Sequence, residues 1–256
     1  MMVETVVVTA SAGAFPGLVE ALRALPVLVE EHPLLNFAPP ADWAPLDSAL
    51  DRLDSYGGVA FTSPRAAAAV VDRMAGRGTR LQRQNTAAAW AGGSATRAAL
   101  GDALGQVRTP SEADLATLGA AEALARAMLD ARVSGPVLFP CGDRRRDELP
   151  ERLRSHAIRV DEVVCYRSVL ASEAAAHAAA ARGTVLVVAS PTVADLLIRA
   201  CPPDERPDLL AVGPTTAASA RASGWLPAAV ASKPSVEALA AAVRNVLARR
   251  AAAANE

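Results

Sequence analysis

Four times along this chain a short apolar run stops at a serine or threonine just as an alanine-rich stretch begins. The four stops read Thr62-Ser63-Pro64, Gly93-Ser94-Ala95-Thr96, Ser190-Pro191-Thr192 and Gly213-Pro214-Thr215-Thr216. If each run is a strand and each stretch a helix, every stop is a corner where unpaired backbone N–H groups meet the positive end of a helix. Such a corner suits a carboxylate or a phosphate. The hydroxyls of Thr62, Ser63, Ser94, Thr96, Ser190, Thr192, Thr215 and Thr216 could add donors of their own. Each could instead simply cap its helix, a contribution of about 1 kcal/mol. One corner alone fits either reading, whereas four together favour a surface built to hold anions.

Two further features could take part. The loop Cys141-Gly142-Asp143-Arg144-Arg145-Arg146-Asp147 follows an apolar run and enters a helix, with Asp147 placed to cap it. Its arginines could reach an anion or could pair with the neighbouring acids. Tyr166, in Glu162-Val163-Val164-Cys165-Tyr166, is one of only two tyrosines. A strand tyrosine either packs or presents a weakly acidic hydroxyl. No GxSxG, HExxH, GxGxxG or GxxxxGK[ST] pattern occurs. An enzyme built from these parts works by positioning, with hydroxyls and backbone N–H groups as its donors.

These residues need strands and helices to place them, and the pattern supplies both. Strands are expected at Thr5–Thr9, Val27–Glu30, Gly58–Thr62, Thr86–Ala91, Pro136–Phe139, Val160–Tyr166, Val185–Ala189 and Leu209–Val212. Helices are expected at Pro16–Ala24, Ser63–Gly76, Ala95–Leu104, Glu112–Ala131, Asp147–His156, Glu173–Ala181, Thr192–Ala200, Thr215–Ser223 and Ser235–Arg250. Pro39, Pro40 and Pro45 read as loop. This alternation predicts an α/β fold with parallel sheets. Aromatics are 4% of the chain against 52% hydrophobic residues. That balance suits helices packed on Val- and Leu-rich parallel strands.

The chain also repeats itself. Val59–Val71 resembles Val187–Leu197, so that Ser190 follows Ser63 by 127 positions. Gly213 follows Gly93 by 120 positions. A third pair is Thr5–Gly13 with Pro136–Asp143. Two similar α/β units are expected.

Composition excludes several classes. A net charge of −1 over 256 residues provides no general attraction for nucleic acid or a membrane surface. Three cysteines without CxxC spacing and three scattered histidines point to neither a disulfide framework nor a metal site. The start, Met1–Gly13, reads as a first strand with an acidic Glu4 and not as a signal peptide. No cofactor, metal, nucleic acid or membrane is expected, and the expected location is the cytoplasm.

Taken in order, the motifs Phe61–Pro64, Gly93–Thr96, Gly142–Leu153, Val163–Ser168, Ala189–Thr192 and Val212–Ala220 resemble the uroporphyrinogen-III synthase family over nearly the whole chain. The resemblance implies two α/β domains joined by two extended segments, near Glu31–Phe37 and Glu162–Val169, with a cleft between them. It implies a discontinuous domain of residues 1–35 and 169–256 and a second domain of 36–168. It also implies a monomer acting on a linear tetrapyrrole, hydroxymethylbilane, which is closed with inversion of its last ring to give uroporphyrinogen III. Tyr166 matches the tyrosine assigned to the leaving hydroxyl. Substrate contacts are then expected from Thr9, Thr62, Ser63, Ser94, Thr96, Gly142, Arg146, Ser190, Thr192, Gly213, Thr215 and Thr216.

This sequence departs from the family pattern in two places. Many relatives carry Thr-Arg where this chain has Thr9-Ala10, which removes one possible carboxylate partner. Ala157 replaces a usual glycine. These departures leave a second reading open, a non-catalytic tetrapyrrole- or anion-binding module on the same scaffold.

Overall fold

A computed structural model describes residues 4–78 and 87–253. The first part of the chain runs β1 (Thr5–Val8), α1 (Leu18–Arg23), β2 (Leu28–Glu31), β3 (Leu35–Ala38), α2 (Ala44–Asp51), β4 (Gly58–Phe61), α3 (Pro64–Gly76), β5 (Ala88–Ala91), α4 (Ser94–Leu100) and β6 (Val107–Arg108). It continues with α5 (Glu112–Leu118), α6 (Ala120–Asp130), β7 (Val137–Gly142), α7 (Glu148–Arg154), β8 (Val160–Leu170) and α8 (Glu173–Arg182). The remainder is β9 (Val185–Val188), α9 (Pro191–Ala200), β10 (Asp208–Ala211), α10 (Pro214–Ala222), β11 (Ala229–Val230) and α11 (Val236–Ala253). The strands form two sheets, ordered β11-β10-β9-β1-β2 and β3-β8-β7-β4-β5-β6. The chain divides into two compact units, Met1–Asn36 with Val169–Glu256, and Phe37–Ser168.

Each sheet is covered on both faces, which is why its central strands are apolar without interruption. In the first unit Val7, Leu186, Val188, Leu209 and Ala211 pack against α8, α9 and α10. The alternate residues Val6, Val8, Val185, Val187 and Leu210 pack against α1 and α11. In the second, Val59, Phe61, Ala89, Ala91 and Leu138 face α2, α3 and α4. Ala60, Trp90, Val137, Phe139 and Cys141 face α6 and α7. The two-residue period of a strand sends neighbours to opposite faces, so both helical layers draw on the same short strands.

Strand register carries the internal repeat. Gly58 pairs with Ala88, and Val185 pairs with Asp208, both in parallel. Val185 follows Gly58 by the same 127 positions that separate Ser63 from Ser190. Asp208 follows Ala88 by the same 120 that separate Gly93 from Gly213. The third sequence pair is β1 with β7: Val6 lies between Val185 and Val29, as Val137 lies between Gly58 and Val160. The sheet β11-β10-β9-β1-β2 therefore corresponds to β6-β5-β4-β7-β8. One unit enters this arrangement at β4 and the other at β1, so the two are circular permutations of each other.

Several expected elements differ in detail. The single helix expected over Glu112–Ala131 is two, broken at Gly119, whose φ of 78° lies in the left-handed region. Helix α2 falls in the stretch read as proline loop. Pro45 sits in its first turn, where a missing N–H costs nothing. β7 runs on through Pro140 to Gly142, and its pairing with β8 shifts register between Cys141 and Gly142. An irregularity of this kind accommodates a proline inside a sheet. β6 and β11 are two residues each, too short to leave a periodic signal. The expected strand at Thr86–Ala91 begins outside the described residues, which resume at Ala87.

Candidate functional site

The site in the Phe37–Ser168 unit lies at the carboxyl ends of β4, β7 and β8. Parallel strands deliver their loops to one edge there, and ligands bind at such edges. A cavity of about 470 Å³ is lined by Thr62, Ser63, Gly142, Arg145, Arg146 and Tyr166 among others. Five expected site residues, Thr62, Ser63, Gly142, Arg146 and Tyr166, thus share one cavity. Phe139 and Cys141 of β7 also line it. Burial pushes the Cys141 thiol up to about 12, so it is no nucleophile near neutral pH.

Tyr166 is held by packing and not by its hydroxyl. Its ring lies over Gly142, where an added Cβ would stand 2.5 Å from the ring Cζ. Phe37 meets the ring edge-on, with centroids 5.7 Å apart. The Tyr166 hydroxyl has a single side-chain hydrogen-bond partner among the described residues, Ser63 Oγ at 3.5 Å. That is long for an O–H···O bond, so the phenol is available to a ligand. The other tyrosine is committed. Tyr56 is buried, accepts from Arg52 and donates to the Asp161 carboxylate at 3.0 Å.

Ser63 is the N-cap of α3, its Oγ accepting a long and therefore weak bond from the Ala66 N–H at 3.5 Å. A second helix start was hidden in the sequence. The break at Gly119 makes Ala120 the first residue of α6, and Gly119, Ala120, Ala121 and Glu122 all line the cavity. Gly119 offers no side-chain cap. The N–H groups of that first turn have no partner within their own helix and carry its positive end. An isolated glycine inside a helical pattern was the available signal.

The arginine loop divides its labour. Arg145 is tied to Glu162, which also holds Arg154. Burial alone would raise the Glu162 carboxyl, but these two guanidiniums outweigh it and hold it below the ordinary carboxylate range. The Arg146 side chain is 84% exposed, and among the described residues its one ion-pair partner is Glu148, at 3.9 Å. Of the two arginines that line the cavity, Arg146 is the one with donors to spare. The Asp143 carboxylate accepts from the Ser168 N–H at 2.8 Å and stitches the loop to β8.

Several expected contacts are not offered to a ligand by their side chains. Thr9 is fully buried, and both its N–H and its hydroxyl donate to the Val187 carbonyl. Thr96 and Thr216 are 4% and 1% exposed. Each is the third residue of its helix, 120 positions apart, and that helical position turns the side chain onto the sheet. Ser94 is exposed but lines a different pocket beside α4. In the other unit Ser190 and Thr192 are half-buried, Gly213 is extended at the start of α10, and Thr215 is exposed. The Ser190 side chain makes no capping bond, unlike Ser63.

Residues 17–241 match the family model described as uroporphyrinogen-III synthase HemD. The chain belongs to the uroporphyrinogen-III synthase family. Its fold is similar to that of a mutant uroporphyrinogen III synthase from Thermus thermophilus, at 15% identity and a TM-score of 0.63 over 96% of this chain and 99% of that one. It is likewise similar to the uroporphyrinogen-III synthetase of Helicobacter pylori, at 19% identity and a TM-score of 0.57, again over 96% and 99%. At these identities the likeness is one of fold. No helix among the described residues is long and apolar enough to cross a membrane.

Proposed function

We propose that the protein is a cyclising lyase that converts hydroxymethylbilane to uroporphyrinogen III, with loss of one water. The observation that carries this reading is the uncommitted Tyr166 hydroxyl in a donor-lined cavity, in a chain of this family. A pyrrole nitrogen supplies the electron pair that expels the terminal hydroxyl and leaves an azafulvene cation. Tyr166 donates a hydrogen bond to the departing oxygen. The substituted carbon of the last pyrrole then attacks the cationic methylene carbon to give a spiro intermediate. That intermediate reopens and recloses with the ring turned over, and loss of a proton restores the pyrrole.

The bilane bears carboxylates on every pyrrole and closes unaided to isomer I. Catalysis therefore has to control conformation more than it has to activate a nucleophile. The first turns of α3 and α6, with Arg146, are donors suited to those carboxylates. Ser190 and Gly213 to Thr216 are proposed as further carboxylate contacts, mostly through backbone N–H groups. The test is incubation of the bilane with the protein and separation of the isomers. Enrichment of isomer III over the spontaneous isomer I supports the reading. Protein that binds the bilane and leaves only isomer I is a binding module and not a synthase.

A further inference from the structure

Tyr166 also lines a second cavity, of about 460 Å³, together with Phe37, Trp43, Arg65, Asp72 and Arg73. Arg65 stands in the first turn of α3, two residues after Ser63. Its guanidinium carbon lies 3.5 Å from the centroid of the Phe37 ring, a stacking distance. Stacking occupies the guanidinium face and leaves its in-plane N–H donors pointing outward. Burial lowers the pKa of Arg65 from its ordinary value; the nearby Tyr166 phenol offsets part of that effect, and among the described residues no carboxylate does. The other arginine of the cavity is spent. Arg73 makes two bonds to the Asp47 carboxylate, which Arg77 also holds at 2.9 Å.

Arg65 is exposed overall, and a guanidinium held in orientation against a ring, with no carboxylate partner among the described residues, is suited to a carboxylate from outside. Asp72, the one acid lining this cavity among the described residues, follows Arg65 by seven residues on the same helix. That places it roughly 10 Å along the axis, about one Debye length at 0.1 M salt. Its repulsion of an anion at Arg65 is therefore weak. Resting on the reading of a polycarboxylate bilane as substrate, we propose that Arg65, braced by Phe37, binds one of its carboxylate side chains, outside the cavity floored by Gly142. Neither residue was among the contacts expected from sequence, because nothing in Pro64-Arg65-Ala66 distinguishes a solvated helix arginine from a binding one.

The test compares wild type, Arg65→Gln, Arg65→Lys and Asp72→Asn in two measurements. One is KM, kcat and isomer ratio with hydroxymethylbilane, and the other is the Kd of the fluorescent porphyrin obtained by oxidising uroporphyrinogen III. Arg65→Gln is expected to raise KM and Kd about 10-fold, the scale of one lost charge-assisted pair. Its kcat and isomer III fraction should stay near wild type, as removal of uniform binding requires. Arg65→Lys should recover part of the loss, and Asp72→Asn should bind as tightly as wild type or more so. A thermal melt accompanies each variant. If Arg65→Gln melts early, the charge-keeping Arg65→Lys carries the comparison through loss of the fork alone. Wild-type KM and Kd in Arg65→Gln, from protein that makes isomer III, overturns the Arg65 subsite and leaves the synthase reading standing. A wild type that makes no isomer III overturns both.

Discussion

Tyr166 and Gly142 act as a pair, because the phenol can lie where it does only if residue 142 has no Cβ. Gly142→Ala is expected to push the ring off the strand and to cost about 1–3 kcal/mol of stability, as overpacking does. Its kcat should fall at least as far as that of Tyr166→Phe, with a smaller change in KM. Adding Tyr166→Ala to Gly142→Ala should restore most of the melting temperature, since the clash is between those two residues. Additive melting losses would show that the ring and residue 142 do not compete. For Tyr166→Phe itself, turnover should drop about 10- to 100-fold, roughly 1.4–2.7 kcal/mol on the barrier. Isomer III should remain the product, because ring inversion depends on how the chain is held and not on the phenol. A Tyr166→Phe enzyme with full rate would return that residue to a packing role.

At the scale of the element, the repeated strand–helix corner has diverged in the use of its hydroxyl. Ser63 caps α3, whereas Ser190, with nearly the same backbone angles, caps nothing with its side chain. Ser63→Ala should therefore cost about 0.5–1 kcal/mol in a denaturation experiment. Ser190→Ala should be close to neutral there, and equal losses would contradict the difference in capping. Thr215 offers a sharper separation of stability from binding. It is exposed in the first turn of α10, so an aspartate there meets the positive helix end and should leave the melting temperature unchanged or slightly higher. The same charge should repel the substrate's carboxylates and weaken porphyrin binding about 10-fold. Unchanged affinity in Thr215→Asp would reduce that corner to a helix start.

Over the whole molecule, each unit carries a carboxylate that arginine holds down to about 2. Hydrogen bonds from Arg182 and His32 lower Glu30 to about 2, and those from Arg73 and Arg77 do the same for Asp47. A carboxyl whose folded pKa is depressed stabilises the fold above its unfolded value, near 4, and loses that contribution as pH falls towards 2. Acid unfolding should therefore be concentrated between about pH 4 and pH 2 in both units. Both pairs are solvent-accessible, so each contribution is modest. The chain has three tryptophans, and Trp225 alone belongs to the discontinuous unit. Its fluorescence in a Trp43→Phe, Trp90→Phe background isolates that unit. Replacing Glu30 by Gln should flatten the acid limb of that signal, and an unchanged limb would place the sensitivity elsewhere. Cys141, Cys165 and Cys201 are all buried, and burial pushes the first two up to about 12. Native protein should resist alkylation at all three until it is unfolded.

Much of this was legible from residues alone. The 127- and 120-position offsets follow from similar local strings, and strand register preserves them because similar βα units fold to similar corners. Short Val-rich runs, Ser-Pro starts and Gly-Pro-Thr-Thr are local signals, set by backbone preference and periodicity. What local pattern could not decide is which hydroxyls remain free. Thr9, Thr96 and Thr216 look like Thr62 and Thr215 in the sequence. Whether such a side chain meets a carbonyl, the sheet or solvent depends on the neighbouring strand and on helical phase. The contact of Tyr166 with Gly142 joins residues on adjacent strands at a register shift, and Arg65 finds Phe37 from a different element altogether. Those are long-range contacts, made only when the sheet forms, and through them the tertiary structure joins the Thr62-Ser63 corner, the start of α6 and the Gly142 loop into one cavity with a phenol at its edge.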